Sequence, residues 1–170
     1  MITKLSDVKD IVRQAVNNPN ESFPKIMELA SSEDWKEREV AATILVETGK
    51  KKPEQIIQEM SLWAENNNPN IRRTASEGLR DIARRKPQLI LPILEKLKCD
   101  SNTYVKKSVA NVLRNAGNYY PDFVLEICEE WANVKNAHTN WIIKDSLRKL
   151  KLTYPSKVEK IITSLKNAPF

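Results

Sequence analysis

The chain has 170 residues, of which 41% are hydrophobic, so it is long enough to bury the core of one domain. Its three glycines are too few for the many tight turns of a β-sandwich or barrel. The 28 lysine and arginine residues outnumber the 22 acidic ones, and the resulting net charge of +6 is compatible with a polyanionic partner without identifying one.

The first four residues, MITK, lack the basic-then-apolar pattern of a signal peptide, so we expect the protein to stay in the cytoplasm. No run of 18 apolar residues follows, and we therefore expect no membrane partner. Cys99 and Cys128 lie far apart and form no CxxC pair, which indicates two reduced structural thiols.

A leading helix is predicted from about Ser6 to Val16, and after it prolines recur every 34 residues. The series comprises Pro19, Pro53, Pro87, Pro121 and Pro155. Proline is favoured in the first turn of a helix, where its missing N–H would be unpaired anyway. The equal spacing therefore predicts one structural unit copied along the chain.

The apolar residues keep the same period. Positions are counted here from the proline of each unit, and positions 3, 7 and 10 form one apolar stripe of a helix. Position 7, for example, holds Ile26, Met60, Leu94, Cys128 and Ile162. The apolar residues at positions 22 and 26 indicate a second helix in each unit. Position 22 holds Ala41, Ala75, Val109 and Ile143, and position 26 holds Leu45, Leu79, Leu113 and Leu147. Each unit is thus a helix–turn–helix, with Gly49 and Gly117 predicted as left-handed C-caps.

Helix starts follow from the local residues: first helices near Ser22, Pro53, Pro87, Pro121 and Pro155, and second helices near Asp34, Pro69, Asn102 and Thr139. A leading helix (1–18), units 19–52, 53–86, 87–120 and 121–154, and a capping helix (155–170) fill the chain without a linker. We predict a single all-α domain over 1–170, a monomeric right-handed α-solenoid of HEAT-like helical pairs.

The second helices share a polar side, because positions 20, 24 and 27 are spaced i, i+4 and i+7. We name this surface the second-helix face. Its basic residues are Arg73, Arg80, Lys107, Arg114 and Arg148, with Arg84 and Lys149 close by, and its acidic residues are Glu39, Glu77 and Asp145. A basic row across consecutive units is typical of proteins that track a phosphate backbone. A solvated face, with Glu77 paired to Arg73 or Arg80, is the alternative.

Arg72 and Lys106 lie one position before this face. Helical repeats commonly hold an arginine at the start of the second helix against a turn aspartate of the next unit. Asp100 is well placed for that contact, so Arg72 is predicted to be structural.

Three segments resemble a known family. NPNIRRTASEGLR (68–80), YVKKSVANVLRNAGNYYPDFVL (104–125) and WIIKDSLRKL (141–150) are similar to the DNA alkylation repair family. Its members are HEAT-like repeat DNA glycosylases that remove cationic N-alkylated bases. The resemblance, which covers about residues 35–150, implies a duplex or damaged DNA partner and hydrolysis without metal or cofactor.

The same resemblance implies the roles of site residues. Glu77 and Glu39 match acidic positions of the family. Together with Asp145 of the second-helix face, they are expected to supply negative charge where the sugar becomes cationic. The face of Trp35, one turn before Glu39, can attract a cationic base. Arg73 matches a backbone-contacting arginine of the family. With the basic row of the second helices and its neighbours, the residues expected to bind DNA are Arg73, Arg80, Arg84, Lys107, Asn111, Arg114, Arg148 and Lys149.

Departures from the family pattern leave alternatives open. The RPRLPW run expected after ASEG reads RDIAR at 80–84, and Asp145 replaces a histidine. One alternative is a DNA-binding homologue without catalysis. Another is a protein–protein interaction scaffold, because the period also fits tetratricopeptide repeats, although position 10 holds leucine or tryptophan where that family has glycine. Trp35 and Trp141 alternatively pack between units.

Overall fold

The computed structural model describes residues 5–166, so the predicted leading and capping segments extend outside it at 1–4 and 167–170. All regular secondary structure within 5–166 is helical. The α-helices are α1 (Leu5–Asn17), α2 (Pro19–Ser31), α3 (Trp35–Gly49), α4 (Pro53–Trp63), α5 (Pro69–Glu77), α6 (Arg80–Arg85), α7 (Leu91–Leu97), α8 (Thr103–Gly117), α9 (Pro121–Trp131), α10 (Ala137–Ser146), α11 (Leu150–Thr153) and α12 (Pro155–Lys166). Short 3-10 helices occupy Pro87–Leu89 and Ala132–Val134.

Every proline of the series begins a helix, with Pro87 starting the 3-10 turn that precedes α7. The residue before each of the first four prolines has nearly the same backbone, with φ between −141° and −131° and ψ between 57° and 73°. This conformation is non-helical because the proline ring clashes with a helical preceding residue. The sequence period is therefore also a period of backbone conformation.

An Asp or Asn caps the second helix of each unit. The side chains of Asp34, Asn68, Asn102 and Asn136 each accept a hydrogen bond from a backbone N–H in the following turn. Such a bond satisfies one of the donors that a helix start leaves unpaired. The cap at Asn136 starts α10 at Ala137, so the predicted start near Thr139 is wrong, as is the start near Ser22, because α2 already begins at Pro19.

The units stack in two layers. Second helices contact second helices (α3 with α5, α5 with α8, α8 with α10), and first helices contact first helices (α2 with α4, α4 with α7, α9 with α12). Positions 22 and 26 are buried in all four complete units, and Trp63 and Trp131 are also buried in the core. The all-α prediction is confirmed, and the layers are consistent with a solenoid. Its right-handed sense stays a prediction.

The glycines differ from expectation. None of those in the described chain has a positive φ, so the prediction of left-handed C-caps at Gly49 and Gly117 is wrong. Both are buried last residues of right-handed helices. Close packing instead marks Gly78, where an added Cβ would lie 3.0 Å from the Cβ of Leu45.

The second helices of two units are each interrupted by a short turn. The chain turns between α5 and α6 at Gly78 and Leu79, and between α10 and α11 at 147–149. By contrast, α3 and α8 each run for 15 residues without a break. Arg80 and Arg148 lie at these interruptions. Among the described helices, none combines the length and apolar character needed to cross a membrane.

Candidate nucleic-acid interface

An ion pair joins the first two units across the second-helix face. Arg73 Nη2 donates to Glu39 Oε1 at 2.7 Å, and both residues occupy position 20 of their units. The Glu39 side chain is 41% exposed and that of Arg73 is 20% exposed. The units therefore stack in the register that the sequence predicts, and Arg73 is held by an acid of the same face.

Glu77 lies at the centre of this charge network. It is buried, and Arg80 Nε is 3.3 Å from its Oε2 atom. Burial raises the pKa of Glu77, whereas the positive charges of Arg80, Arg73 and Arg114 lower it. Charged residues of neighbouring units thus surround one carboxylate. Of the two partners that the sequence offers to Glu77, Arg80 is the one in direct contact.

Asp145 joins the last two complete units. It pairs with Arg114, and its Oδ1 atom is 2.9 Å from Arg148 Nε. Arg114 also donates to the backbone oxygen of Asp145 at 3.2 Å and to Asn111 Oδ1 at 3.4 Å. Arg148, with 65% of its side chain exposed, is far more accessible than Arg114, with 16%. Arg114 is thus a positioned group, and Arg148 reaches solvent.

An open cleft of about 450 Å³ lies beside this network. It is lined by Val46, Lys50, Arg80, Asp81, Arg84, Asn111 and Asn115. Arg84 Nη2 donates to the hydroxyl of Tyr119 at 2.7 Å, and its guanidinium carbon lies 5.2 Å from the centre of that ring. The structure therefore brings three residues that were predicted to bind DNA, Arg80, Arg84 and Asn111, to one cleft.

Trp35 begins α3 and is 61% exposed. This exposure removes the alternative in which Trp35 packs between units. It precedes Glu39 by four residues, so the two side chains project from the same side of α3. An exposed indole beside a half-exposed carboxylate is a surface that can meet a cation.

Aromatic rings lie against several basic residues, and the sequence analysis did not predict these contacts. Lys107 Nζ lies 5.8 Å from the ring centre of Tyr104, and Lys106 Nζ lies 5.6 Å from that of Trp141. The signal for the first was present, since Tyr104 is three residues before Lys107 on one helix. The contact between Lys106 and Trp141 joins adjacent units, so it could be predicted only from the register in which the units stack.

Lys149, the last of the basic residues predicted to bind DNA, is exposed.

The structural role predicted for Arg72 is confirmed. Its Nε donates to Asp100 Oδ2 at 2.6 Å, and its Nη1 donates to the backbone oxygens of Asn66 and Asn67. Arg72 therefore ties the turn before α5 to the next unit, while the neighbouring Arg73 points to the second-helix face. Within the described part of the chain, no group of three or more His, Cys, Asp and Glu side chains could hold a metal ion.

Solved structures of other proteins resemble the chain, including the following two. The alkylpurine DNA glycosylase AlkC of Pseudomonas fluorescens, bound to DNA containing an abasic site analog, matches with a TM-score of 0.76 and 26% identity. That match covers 91% of this chain and 44% of AlkC, so the chain spans less than half of the AlkC chain. AlkD2 from Streptococcus mutans shares the fold, with a TM-score of 0.68, 23% identity, and coverage of 86% of this chain and 83% of AlkD2.

No curated protein matches the chain in sequence. A sequence model of one family does, and it is described as DNA alkylation repair enzyme. The match spans residues 39–150 of the 170, which includes the paired charges from Glu39 to Arg148. The chain belongs to the DNA alkylation repair enzyme family.

Proposed function

We propose that this chain binds DNA that carries a cationic N-alkylated base and hydrolyses the N-glycosidic bond of that base. One observation carries the proposal: arginines of successive units lie on the second-helix face around three carboxylates. Basic groups complement the phosphates, and carboxylates complement a cationic sugar. Family membership supports the same reading, as does AlkC, which is bound to DNA with an abasic site analog. An abasic site is what remains after the base is released.

The exposed basic residues are proposed to contact phosphates directly. They are Arg84, Lys107, Arg148 and Lys149. Arg73 and Arg114 are partly buried and each pairs with a carboxylate. We propose that the N–H groups not used in these pairs contact phosphates. Arg80 and Asn111 line the cleft and are proposed to contact the strand that enters it.

The proposed reaction breaks the bond between C1′ of the sugar and the ring nitrogen of the base. The bonding electron pair leaves with the base, so the cationic base departs neutral and the sugar becomes oxocarbenium-like. Water then adds to C1′ and loses a proton to solvent. Because the leaving group is already activated by its charge, the chemistry requires neither metal nor cofactor.

Glu39 is proposed to stabilise the cationic sugar, because its side chain is the most exposed of the three carboxylates. Trp35 is proposed to hold the cationic base against its ring. Glu77 is buried behind the face and is proposed to act by positioning Arg80, which contacts it. Asp145 is proposed to position Arg114 and Arg148 in the same way.

A second candidate function is DNA binding without base release. The observation in its favour is that Glu39, Glu77 and Asp145 each pair with an arginine, which offsets the negative charge that catalysis needs. This alternative predicts salt-dependent binding to duplex or branched DNA and no released base. In both versions we propose a monomer that acts in the cytoplasm, with a protein partner as the remaining alternative.

Base release separates the two candidates. Duplex DNA treated with a methylating agent is incubated with the wild type and with Glu39→Gln, and free methylated bases are quantified by chromatography. The proposal expects release by the wild type and a loss of about tenfold or more in the variant. Binding of the same DNA by the wild type without any release would replace the proposal by the second candidate.

A further inference from the structure

Two pairs of a lysine and an exposed aromatic ring lie where α8 and α10 begin, and the two lysines, Lys106 and Lys107, are adjacent in the chain. Tyr104 is 65% exposed, Trp141 is 36% exposed and Lys107 is exposed. Lys106 reaches across to the next unit, with its Nζ 5.6 Å from the ring centre of Trp141 and 3.3 Å from His138 Nδ1. We call Tyr104, Lys106, Lys107 and Trp141 the lysine–aromatic cluster.

These lysines differ from the arginines of the second-helix face in what they contact. Arg73, Arg80, Arg114 and Arg148 each pair with a carboxylate. Among the described residues, neither Lys106 nor Lys107 pairs with one, and each instead lies over an aromatic ring. The electrostatic attraction of an ammonium to a ring is weaker than that to a phosphate. Both charges therefore stay available to an anion, with no internal acid to displace.

The exposed rings indicate which chemical group is bound next to that anion. Rings beside lysines in a basic groove form a stacking platform for bases, because every base has a π face. Inside a duplex both faces of a base are covered by its neighbours, so only a base outside the stack can lie on such a ring. The cluster thus fits the two parts of an unpaired nucleotide, its phosphate and its base.

We propose that the lysine–aromatic cluster binds an unpaired nucleotide of DNA, with the phosphate at Lys106 and Lys107 and the base stacked on Tyr104 or Trp141. This inference rests on the proposed function, because Lys107 occupies the position in its unit that Arg73 occupies in the preceding one. A strand held along the second-helix face would pass the cluster. We therefore expect the chain to prefer DNA with an unpaired segment, such as a bulge or a single-stranded tail, over a fully paired duplex.

The test compares two fluorescently labelled DNAs, a blunt duplex and the same duplex with a three-nucleotide bulge, by anisotropy with the full chain. We expect the wild type to bind the bulged DNA about tenfold more tightly. Tyr104→Ala combined with Trp141→Ala should abolish this preference and keep blunt-duplex affinity within about twofold. Tyr104→Phe combined with Trp141→Phe should retain it, since stacking survives.

Controls separate stacking from folding and from general binding. Leu62→Ala removes a side chain that is 66% exposed on α4, in the first-helix layer, and should leave both affinities unchanged. Thermal unfolding of each variant verifies the fold. Lys106→Ala combined with Lys107→Ala should weaken binding to both DNAs. The slope of log affinity against log salt should become smaller by about two, because two phosphate contacts are lost.

Equal wild-type affinity for blunt and bulged DNA would overturn the inference, while salt-dependent binding to both would leave the proposed function intact. A preference that survives in the double alanine variant would also overturn it. Failure of the wild type to bind any DNA at low salt would refute the inference and the proposed function together.

Discussion

Arg73 and Glu39 occupy the same position of adjacent units, and Arg73 Nη2 donates to Glu39 Oε1 across 34 residues of chain at 2.7 Å. The contact gives Glu39 two opposing effects on DNA. Its charge is useful beside a cationic sugar, but it repels phosphates and occupies a guanidinium that could bind one. Affinity and catalysis therefore respond in opposite directions when this carboxylate is neutralised.

Replacement of Glu39 by glutamine is expected to strengthen DNA binding while it weakens base release. The change removes a negative charge from the second-helix face and frees Arg73 to contact a phosphate. The slope of log affinity against log salt should therefore become steeper by about one. Anisotropy titrations at several salt concentrations measure this effect. Glu33→Gln, an exposed acid in the turn before α3, serves as control and should change neither quantity. Weaker binding by Glu39→Gln would show that the carboxylate does not oppose the DNA.

Arg72 and Arg73 are adjacent, but replacing them is expected to affect different properties. Loss of Arg72 should lower stability, and loss of Arg73 should lower DNA affinity. Arg72→Ala leaves Asp100 without its partner, and the Asp100 side chain is only 7% exposed. We expect a loss of about 3 kcal/mol in the free energy of unfolding. Arg73→Ala should cost about 1 kcal/mol or less in stability, because Glu39 is half-exposed, but should weaken DNA binding.

Urea unfolding and DNA titration of both variants give the two readouts. DNA binding by folded Arg72→Ala should match that of the wild type. A larger loss of affinity in Arg72→Ala than in Arg73→Ala would show that Arg72, and not Arg73, is the DNA contact.

A methyl group at Gly78 is expected to destabilise the fold. A Cβ there would lie 3.0 Å from Leu45 Cβ and 3.2 Å from Leu45 Cδ1, so Gly78→Ala should lower the free energy of unfolding by about 1–3 kcal/mol. Gly49→Ala is the matched control, because its Cβ would meet Ile82 Cδ1 at 3.5 Å. Alanine favours the helix, so this control should be neutral or stabilising by up to about 1 kcal/mol. Equal unfolding free energies for both variants would exclude the close approach at Gly78.

Burial of Glu77 is expected to make stability depend on pH. Its pKa is raised in the folded protein, mainly by burial, so the folded state binds the proton more tightly than the unfolded state. Stability from this group is therefore greatest below its ordinary pKa of 4.5 and decreases as the pH rises through the raised value.

Glu77→Gln removes this titration. Melting temperatures of the wild type and the variant, measured from pH 4 to pH 7, should show the wild type losing stability relative to Glu77→Gln as the pH rises. A difference between the two proteins that stays constant with pH would contradict the burial of an ionising carboxylate at this position.

The sequence predicts the repeat well because prolines and buried apolar residues both follow one period. Position 26, for instance, is leucine in every complete unit and is buried in each. The register of the units follows from that period, and with it the meeting of Arg73 and Glu39. The predicted start near Thr139 is late because the side chain of Asn136 caps the helix and α10 begins at Ala137.

Side-chain pairing could not be predicted to the same extent. Arg114 lies on α8, which has no acidic residue, and it contacts Asp145 of the next unit. Arg84 contacts Tyr119, which is 35 residues away. Such partners depend on the spacing between helices and on the interruption of α10 before Arg148, which no local pattern in the sequence encodes. The predicted glycine caps failed for a related reason, since packing space rather than a positive φ distinguishes these glycines.

Arg148 is the best position at which to measure whether the second-helix face binds the DNA backbone, because its side chain is 65% exposed. Labelled duplex DNA is titrated with the wild type and Arg148→Ala at several salt concentrations. We expect binding that weakens steeply with salt, and a slope of log affinity against log salt that is smaller by about one in the variant. The same slope and affinity in both proteins would contradict it.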